Sequence, residues 1–119
     1  MLNFRNLEIW KRGMNISKEI YLITQNFPKE EKFGLQSQIR RAVTSIPINI
    51  AEGCGRISAT DFANFLRYSE GSACEVETEL LLAASLGYLS QESAEALISE
   101  LQEIQKMLSA YRLKLKEGK

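Results

Sequence analysis

The sequence contains no histidine, and this absence removes several chemistries together. Histidine is the most common general base, the usual partner of a serine or cysteine nucleophile, and the most common metal ligand. The two cysteines, Cys54 and Cys74, show no CxxC spacing, and we interpret them as small, partly buried residues. We therefore expect no metal, no cofactor and no small-molecule substrate, although an enzyme that uses carboxylates or a lysine stays open.

Long apolar runs are absent as well. The longest, LLLAA at residues 80–84, is far too short to cross a bilayer, and the opening MLNFRNLEIW lacks the apolar centre of a signal peptide. Only two prolines and seven glycines occur, which leaves little room for linkers. We expect one cytoplasmic domain over residues 1–119, without a membrane partner and long enough to bury its own core.

Positive charge is missing from one long stretch of the chain, although the formal net charge is zero. Residues 1–60 hold nine Lys or Arg against five Asp or Glu, and residues 61–119 hold six against ten. No basic residue lies between Arg67 and Lys106, a stretch with eight glutamates. This division suits steering of a charged ligand or association between copies, and solvated helix faces would explain it equally well.

Apolar residues recur at spacings of three and four in four segments, and no segment shows the alternation of a strand. Pro28 is expected to stop the first helix because proline cannot continue the hydrogen-bond ladder. Ser58 or Thr60 should cap the third helix, Gly87 should end it, and Ser90 should cap the fourth. The predicted helices run from about Asn6 to Phe27, Leu35 to Arg56, Thr60 to Leu86 and Gln91 to Lys116.

Four long helices with short connectors predict an all-α fold, an antiparallel up-down four-helix bundle. The apolar arcs are wider than one core stripe requires, because the first helix shows two adjacent stripes and the third adds apolar residues outside its inward row. Extra apolar faces favour contact between copies of the chain, and a thick core is the alternative. The extra residues of the third helix are Phe65, Leu81, Leu82 and Ala84.

SIPINIAEGCGR, residues 45–56, could be a phosphate-binding loop or a helix. A phosphate loop follows a strand, whereas this segment continues a helical pattern and contains neither GxxxxGK nor a full GxGxxG. As a helix it should kink at Pro47, which leaves the Val43 carbonyl without its usual donor. Gly53 would let another helix approach closely, and Gly55 would end the helix.

A polar row runs beside the apolar stripe of the second helix. Glu52 and Arg56 are four residues apart, so their side chains can pair. The row is either a solvated edge or a buried network that fixes helix register or a contact between subunits. Its members are Ser45, Asn49, Glu52 and Arg56.

Two stretches, QIRRAVTSIPINIAEGCGR and FLRYSEGSACEVETELLLAASLGYL, closely resemble the four-helix-bundle family of 23S rRNA-intervening sequence proteins. The opening LEIWKRGMNISKEIYLITQNFPKEEKFGLQSQ is similar to the family's first helix and connector, so the resemblance covers nearly the whole chain. Its pattern is SIPxNIAEGxGR followed by GSxxExET. The matching signature positions are Ser45, Pro47, Asn49, Glu52, Gly53, Gly55, Arg56, Gly71, Ser72, Glu75 and Glu77.

The resemblance implies a bundle that assembles as a ring, typically a homopentamer, encoded in bacterial 23S rRNA genes or elsewhere in genomes. A relative is the accessory protein of diversity-generating retroelements, which binds nucleic acid and a reverse transcriptase. The family has no established catalytic activity. This chain departs from its relatives in one respect: ISATDFANF, after the GxGR motif, carries no cation between Arg56 and Arg67.

Three functions follow from these observations. The first is a non-enzymatic homo-oligomer that binds RNA, DNA or a nucleic-acid enzyme such as a reverse transcriptase. The second is an assembly or protein-interaction module without a nucleic-acid role, and the third is an enzyme with carboxylates such as Glu52, Glu75 and Glu77. A ferritin-like metal site would need Glu-x-x-His, which a chain without histidine cannot supply.

If nucleic acid binds, the contact should use the basic N-terminal half. We expect no aromatic platform among these cations, and therefore weak, salt-dependent contact with the phosphate backbone instead of base stacking and sequence reading. The alternative for Arg40 or Arg41 is pairing with an acidic helix within or between subunits. The candidate residues are Lys11, Arg12, Lys18, Arg40 and Arg41.

Overall fold

The computed structural model describes residues 2–117, and within that range it contains four α-helices and no strand. The helices form a bundle in which α2 packs against α1 and α3, and α4 packs against α3 and, less extensively, α1. The bundle measures 47 × 22 × 20 Å. The four helices are α1 (Glu8–Thr24), α2 (Leu35–Cys54), α3 (Ala59–Ser85) and α4 (Gln91–Glu117).

The core follows the helical spacing of the sequence. The apolar stripe of α2 and the inward row of α3 are buried at every position. These positions are Ile39, Val43, Ile46, Ile50 and Gly53 in α2, and Phe62, Leu66, Ser69, Ala73, Val76, Leu80 and Ala83 in α3. In α1 the two adjacent stripes separate, because Ile9, Ile16 and Ile20 enter the core whereas Met14 and Tyr21 stay 46% and 43% exposed. The wide apolar arc of α1 is therefore only partly used inside the subunit.

The ends of α3 and α4 confirm the signals read from the sequence. Ser58 Oγ accepts a hydrogen bond from the Asp61 amide at 3.0 Å, and Ser90 Oγ accepts one from the Ser93 amide at 3.1 Å. Gly87 follows α3 with φ +80°, a left-handed conformation that glycine adopts without strain. The amide of Tyr88 then donates to the Ala83 carbonyl at 2.9 Å, which closes the end of the helix.

The first helix is shorter than predicted. It begins at Glu8 because Phe4–Asn6 form a separate 3-10 turn, and it ends at Thr24, four residues before Pro28. The amide of Phe27 instead donates to the Thr24 carbonyl in a tight turn, which places the Phe27 side chain at the end of the core. Pro28 thus begins the connector, which contains a second 3-10 turn at Lys29–Glu31.

The second helix runs through Pro47 and ends at Cys54, two residues earlier than predicted. Gly55 caps it as expected, but with φ −82°, so this position does not require the left-handed freedom of glycine. The up-down order of the helices and a kink at Pro47 stay predictions from the sequence.

Candidate nucleic-acid interface

Three of the five predicted cations lie exposed on α1 and α2. Lys11 and Lys18 are two turns apart on α1, and Arg41 lies on α2. Within residues 2–117 none of the three forms an ion pair, and the one polar contact of the Arg41 side chain is a long one, 3.5 Å to Ser37 Oγ. Their charges therefore face solvent and are available to an anionic ligand.

The Arg12 side chain is bound by partners on α4 of the same chain. Its Nε lies 3.3 Å from Glu100 Oε2 on α4, and its Nη1 lies 3.1 Å from the sulfur of Met107. Both charged side chains are about one third exposed, so the pair tethers α1 to α4 from a half-buried position. This candidate from the sequence therefore serves the packing of the bundle.

Arg40, on α2, is also held by neighbouring groups, which belong to the end of α1. Its Nε donates to Thr24 Oγ1 at 2.9 Å, and its Nη2 donates to the Tyr21 carbonyl at 3.1 Å. The guanidinium lies over the Tyr21 ring, 4.5 Å from the ring centroid, which is cation–π geometry. These partners of Arg40 are neutral. Among the described residues, Arg40 therefore does not pair with an acidic helix of its own chain, which was the predicted alternative.

The expectation that no aromatic platform lies among these cations is wrong. The fold brings Tyr21 and Phe33 beside Arg40 and Arg41 around a shallow depression of about 390 Å³. Phe33 lies in the turn before α2 and exposes 89% of its surface. This arrangement was not evident from the sequence because Tyr21 lies on α1, Phe33 lies in the connector and the two arginines lie on α2.

Of the two acidic residues in that connector, Glu30 is exposed and Glu31 turns inward. Glu31 Oε1 accepts from the Leu35 amide and Oε2 from the Tyr88 hydroxyl, both at 2.9 Å. These hydrogen bonds, first that of the Leu35 amide and then that of Tyr88, lower the pKa of Glu31. The Glu31 carboxylate thus links the N-terminus of α2 to the turn after α3, and the two hydrogen bonds partly compensate its negative charge.

Several signature residues form the contact between α2 and α3. The hydroxyl of Ser45 is hydrogen-bonded to that of Ser72. Beside them, Ser69 Oγ donates to the Ile46 carbonyl at 2.8 Å, and Asn49 Nδ2 donates to the Ser45 carbonyl at 2.8 Å. This part of the polar row is a half-buried network that fixes the register of the two helices.

The rest of the polar row is a solvated edge. Arg56 Nη2 lies 3.1 Å from Glu52 Oε2, and the two side chains are 43% and 53% exposed. The Arg56 guanidinium also lies 4.6 Å from the centroid of the Phe65 ring. The pair predicted from the sequence is confirmed, and its exposure shows that within the subunit it is not a buried network.

The signature glycines have different surroundings. A Cβ on Gly53 would lie 2.7 Å from Phe62 Cδ1 and 2.9 Å from Phe65 Cβ, so α3 packs directly on the α2 backbone, as predicted. A Cβ on Gly71 would meet no atom within 4 Å. Gly71 lies in a broad cleft of about 760 Å³ between α3 and α4, so packing inside the subunit does not require glycine there.

The signature glutamates of α3 point in different directions. Glu75 is exposed, whereas Glu77 is half-buried, with Gln102 Nε2 3.5 Å from its Oε2. Glu79, one turn after Glu75, is only 7% exposed, and its Oε1 has no hydrogen-bond partner among the described residues. Burial, with a smaller effect of the Glu75 charge, raises the pKa of Glu79 to about 7.

An apolar groove of about 490 Å³ separates the outer faces of α1 and α2. Trp10, Met14 and Tyr21 line it from α1, and Pro47 and Ile48 line it from α2. Ile48 is 59% exposed, and Lys18 contributes to the lining. The groove thus consists of the part of the α1 apolar arc that does not enter the core, together with the edge of α2 that lies beside it.

Comparison with protein families identifies the chain, because the model of the 23S rRNA-intervening sequence proteins matches residues 5–110. The chain belongs to the 23S rRNA-intervening sequence protein family. Among curated proteins, none matched it in sequence.

A solved relative has the fold of this 23S rRNA-intervening sequence protein. It is a protein of unknown function from the S23 ribosomal protein family of Bacteroides thetaiotaomicron, 28% identical in sequence, with a TM-score of 0.78. The match covers 87% of this chain and 97% of the relative.

Over residues 2–117, no α-helix combines the length and apolar character needed to cross a membrane. The same part of the chain contains no group of three or more cysteine, aspartate or glutamate side chains placed to hold a metal ion.

Proposed function

We propose that this protein is a non-enzymatic, homo-oligomeric accessory factor that acts in the cytoplasm and binds RNA or DNA through α1 and α2. The observation that carries the proposal is the set of exposed cations without ion-pair partners among the described residues, Lys11, Lys18 and Arg41. Such charges attract the phosphate backbone in a salt-dependent way. A nucleic-acid enzyme such as a reverse transcriptase is the further partner that the family resemblance implies.

The distribution of acidic residues supports binding on one side. Glu75 on α3 and Glu92, Glu95 and Glu103 on α4 are all exposed, so the acidic stretch between Arg67 and Lys106 repels the ligand that the cations of α1 and α2 attract. A polyanion should therefore approach one face of the subunit only. In a ring the basic face would repeat with each copy, so weak contacts would add through multivalency.

The apolar groove between α1 and α2 supports the homo-oligomer. Met14 and Ile48 expose large aliphatic surfaces beside Lys18, while the part of α3 and α4 between Arg67 and Lys106 exposes glutamates. A head-to-tail contact between these unlike faces closes into a ring when the rotation between copies allows it. The family resemblance gives five as the number of copies.

Binding to short RNA and DNA oligonucleotides, measured by fluorescence polarisation over a range of salt concentrations, tests the nucleic-acid proposal. We expect wild-type binding that weakens steeply as salt rises, and a large loss in a Lys11→Glu, Arg41→Glu double variant. Lys18 stays unchanged in this variant because it lines the groove of the proposed contact between copies. Arg40 is left intact because its contacts hold α1 to α2. The matched control, Lys106→Glu with Lys114→Glu on α4, should bind as wild type or more weakly by a small factor.

Absence of binding by a folded wild-type oligomer would overturn the proposal. It would leave the second candidate, an assembly module without a nucleic-acid role, which the same apolar groove favours.

Light scattering distinguishes the location of the contact between copies. Ile48→Glu, in the apolar groove, should dissociate the oligomer. Ile57→Glu, in the fully exposed α2–α3 connector, should leave it assembled. The reverse result would place the contact at the connector.

A further inference from the structure

The turn that precedes α2 exposes an aromatic ring among cations. Phe33 is 89% exposed, although contact between an apolar ring and water is unfavourable in free energy. Lys32, Arg40, Arg41 and Tyr21 line the same 390 Å³ depression as Phe33. The Lys32 ammonium lies 5.6 Å from the centre of the Phe33 ring, so at least one cation already faces the ring.

Contacts within the chain hold part of this surface together. Arg40 is fixed by hydrogen bonds to Thr24 Oγ1 and the Tyr21 carbonyl, and its guanidinium covers the Tyr21 ring. Gln36 donates to the Thr24 carbonyl at 2.8 Å, which leaves its own carbonyl oxygen as an acceptor at the same site. The surface thus combines a fixed cation–aromatic pair, an exposed ring and a polar group.

We infer that Phe33 is a stacking platform for an unpaired nucleobase, with Lys32 and Arg41 contacting the adjoining phosphates. Bases expose their faces only where they are unpaired, and proteins bind single strands by stacking such bases on aromatic rings along a basic groove. A duplex offers phosphates but hides its base faces. The site therefore selects single-stranded RNA or DNA, or unpaired loops, over a duplex. This inference rests on the proposed nucleic-acid function and specifies its ligand.

Fluorescence polarisation with one labelled oligonucleotide, free or annealed to its complement, tests this site in the full-length protein. Wild type should bind the single strand more tightly than the duplex. Phe33→Leu should weaken single-strand binding on the order of tenfold and leave duplex binding unchanged. Phe33→Trp should retain the preference, because tryptophan preserves an aromatic face.

The salt dependence separates the ring from the cations. Phe33→Leu removes no charge, so the slope of log K against log salt should stay as in wild type. Arg41→Gln should reduce that slope by about 0.7 to 0.9. The fluorescence of a 2-aminopurine base in the single strand should be quenched when wild type binds and not when Phe33→Leu binds. This difference reports stacking of the base on the ring directly.

Three outcomes would overturn the inference. Equal binding of single strand and duplex by wild type, or unchanged single-strand binding by Phe33→Leu, would exclude stacking while the proposed nucleic-acid function stood. A change of oligomeric state in Phe33→Leu, seen by light scattering, would assign the ring to a contact between copies. Failure of wild type to bind either form would instead overturn the proposed function itself.

Discussion

The hydroxyl of Ser17 on α1 lies 3.2 Å from the carbonyl oxygen of Val43 on α2. Val43 is the residue whose carbonyl lacks a helical donor, because position 47 is proline. Ser17 Oγ is also 2.8 Å from the Gly13 carbonyl, so its one proton serves two acceptors. A buried side chain of α1 thus satisfies the acceptor that Pro47 leaves open in α2.

Ser17→Ala should lower the free energy of unfolding by about 1 to 2 kcal/mol, because it leaves the Val43 carbonyl buried without this donor. Denaturant melts measure the change. In a Pro47→Ala background the backbone N–H returns, so the same serine substitution should cost clearly less. Equal costs in both backgrounds would show that Ser17 does not act through the Val43 carbonyl.

Gly53→Ala should destabilise the protein by about 1 to 3 kcal/mol, because the new Cβ would overlap Phe62 and Phe65 on α3. Gly71→Ala is the matched control within a helix. It adds a Cβ in open space and raises helix propensity, so we expect a gain of up to about 1 kcal/mol. Thermal and denaturant melts of both variants check the contrast, and equal effects would contradict the close α2–α3 contact.

Stability should fall as pH rises from about 4.5 to about 7, in part because of Glu79. The pKa of Glu79 is raised from 4.5 to about 7, so in this window the folded chain keeps a proton that the unfolded chain has lost. Glu79→Gln should remove this part of the decline and stabilise the protein by about 1 kcal/mol above pH 7. At acidic pH it should have little effect.

Glu95→Gln is the control for the pH experiment, because Glu95 is exposed on α4. Denaturant melts across the pH range should show the same pH dependence for this variant as for wild type. If Glu79→Gln also follows the wild-type curve, then the buried carboxyl does not hold its proton in the folded protein.

Two ion pairs should differ in their energetic contribution. Arg112 contacts Glu70 through two bonds, Nε to Oε2 at 2.6 Å and Nη2 to Oε1 at 3.3 Å, and both side chains are only 20% exposed. Arg112→Met should cost on the order of 1 to 3 kcal/mol. Glu52→Ala breaks an exposed pair and should cost less than about 0.5 kcal/mol. Chemical denaturation compares them, and a larger cost for Glu52→Ala would indicate a contact between subunits.

The sequence by itself determined the helices and most of their ends, because these depend on neighbours within one or two turns. Ser58, Ser90 and Gly87 act on backbone groups at most four residues away, and the spacing of apolar residues selects the face that enters the core. The resemblance to the 23S rRNA-intervening sequence proteins was visible for the same reason, since its motif is contiguous. The start of α1 was missed because the 3-10 turn at Phe4–Asn6 has no distinct sequence pattern.

Only the tertiary structure decided which polar groups are free. Arg12 and Arg40 looked equivalent to Lys11 and Arg41 in the sequence, but partners on other elements hold them. The aromatic surroundings of Arg40, the donor for the Val43 carbonyl and the burial of Glu79 were equally invisible. Each depends on the distance and the rotation between packed helices, which follow from the balance of many side-chain contacts and not from any local stretch of sequence.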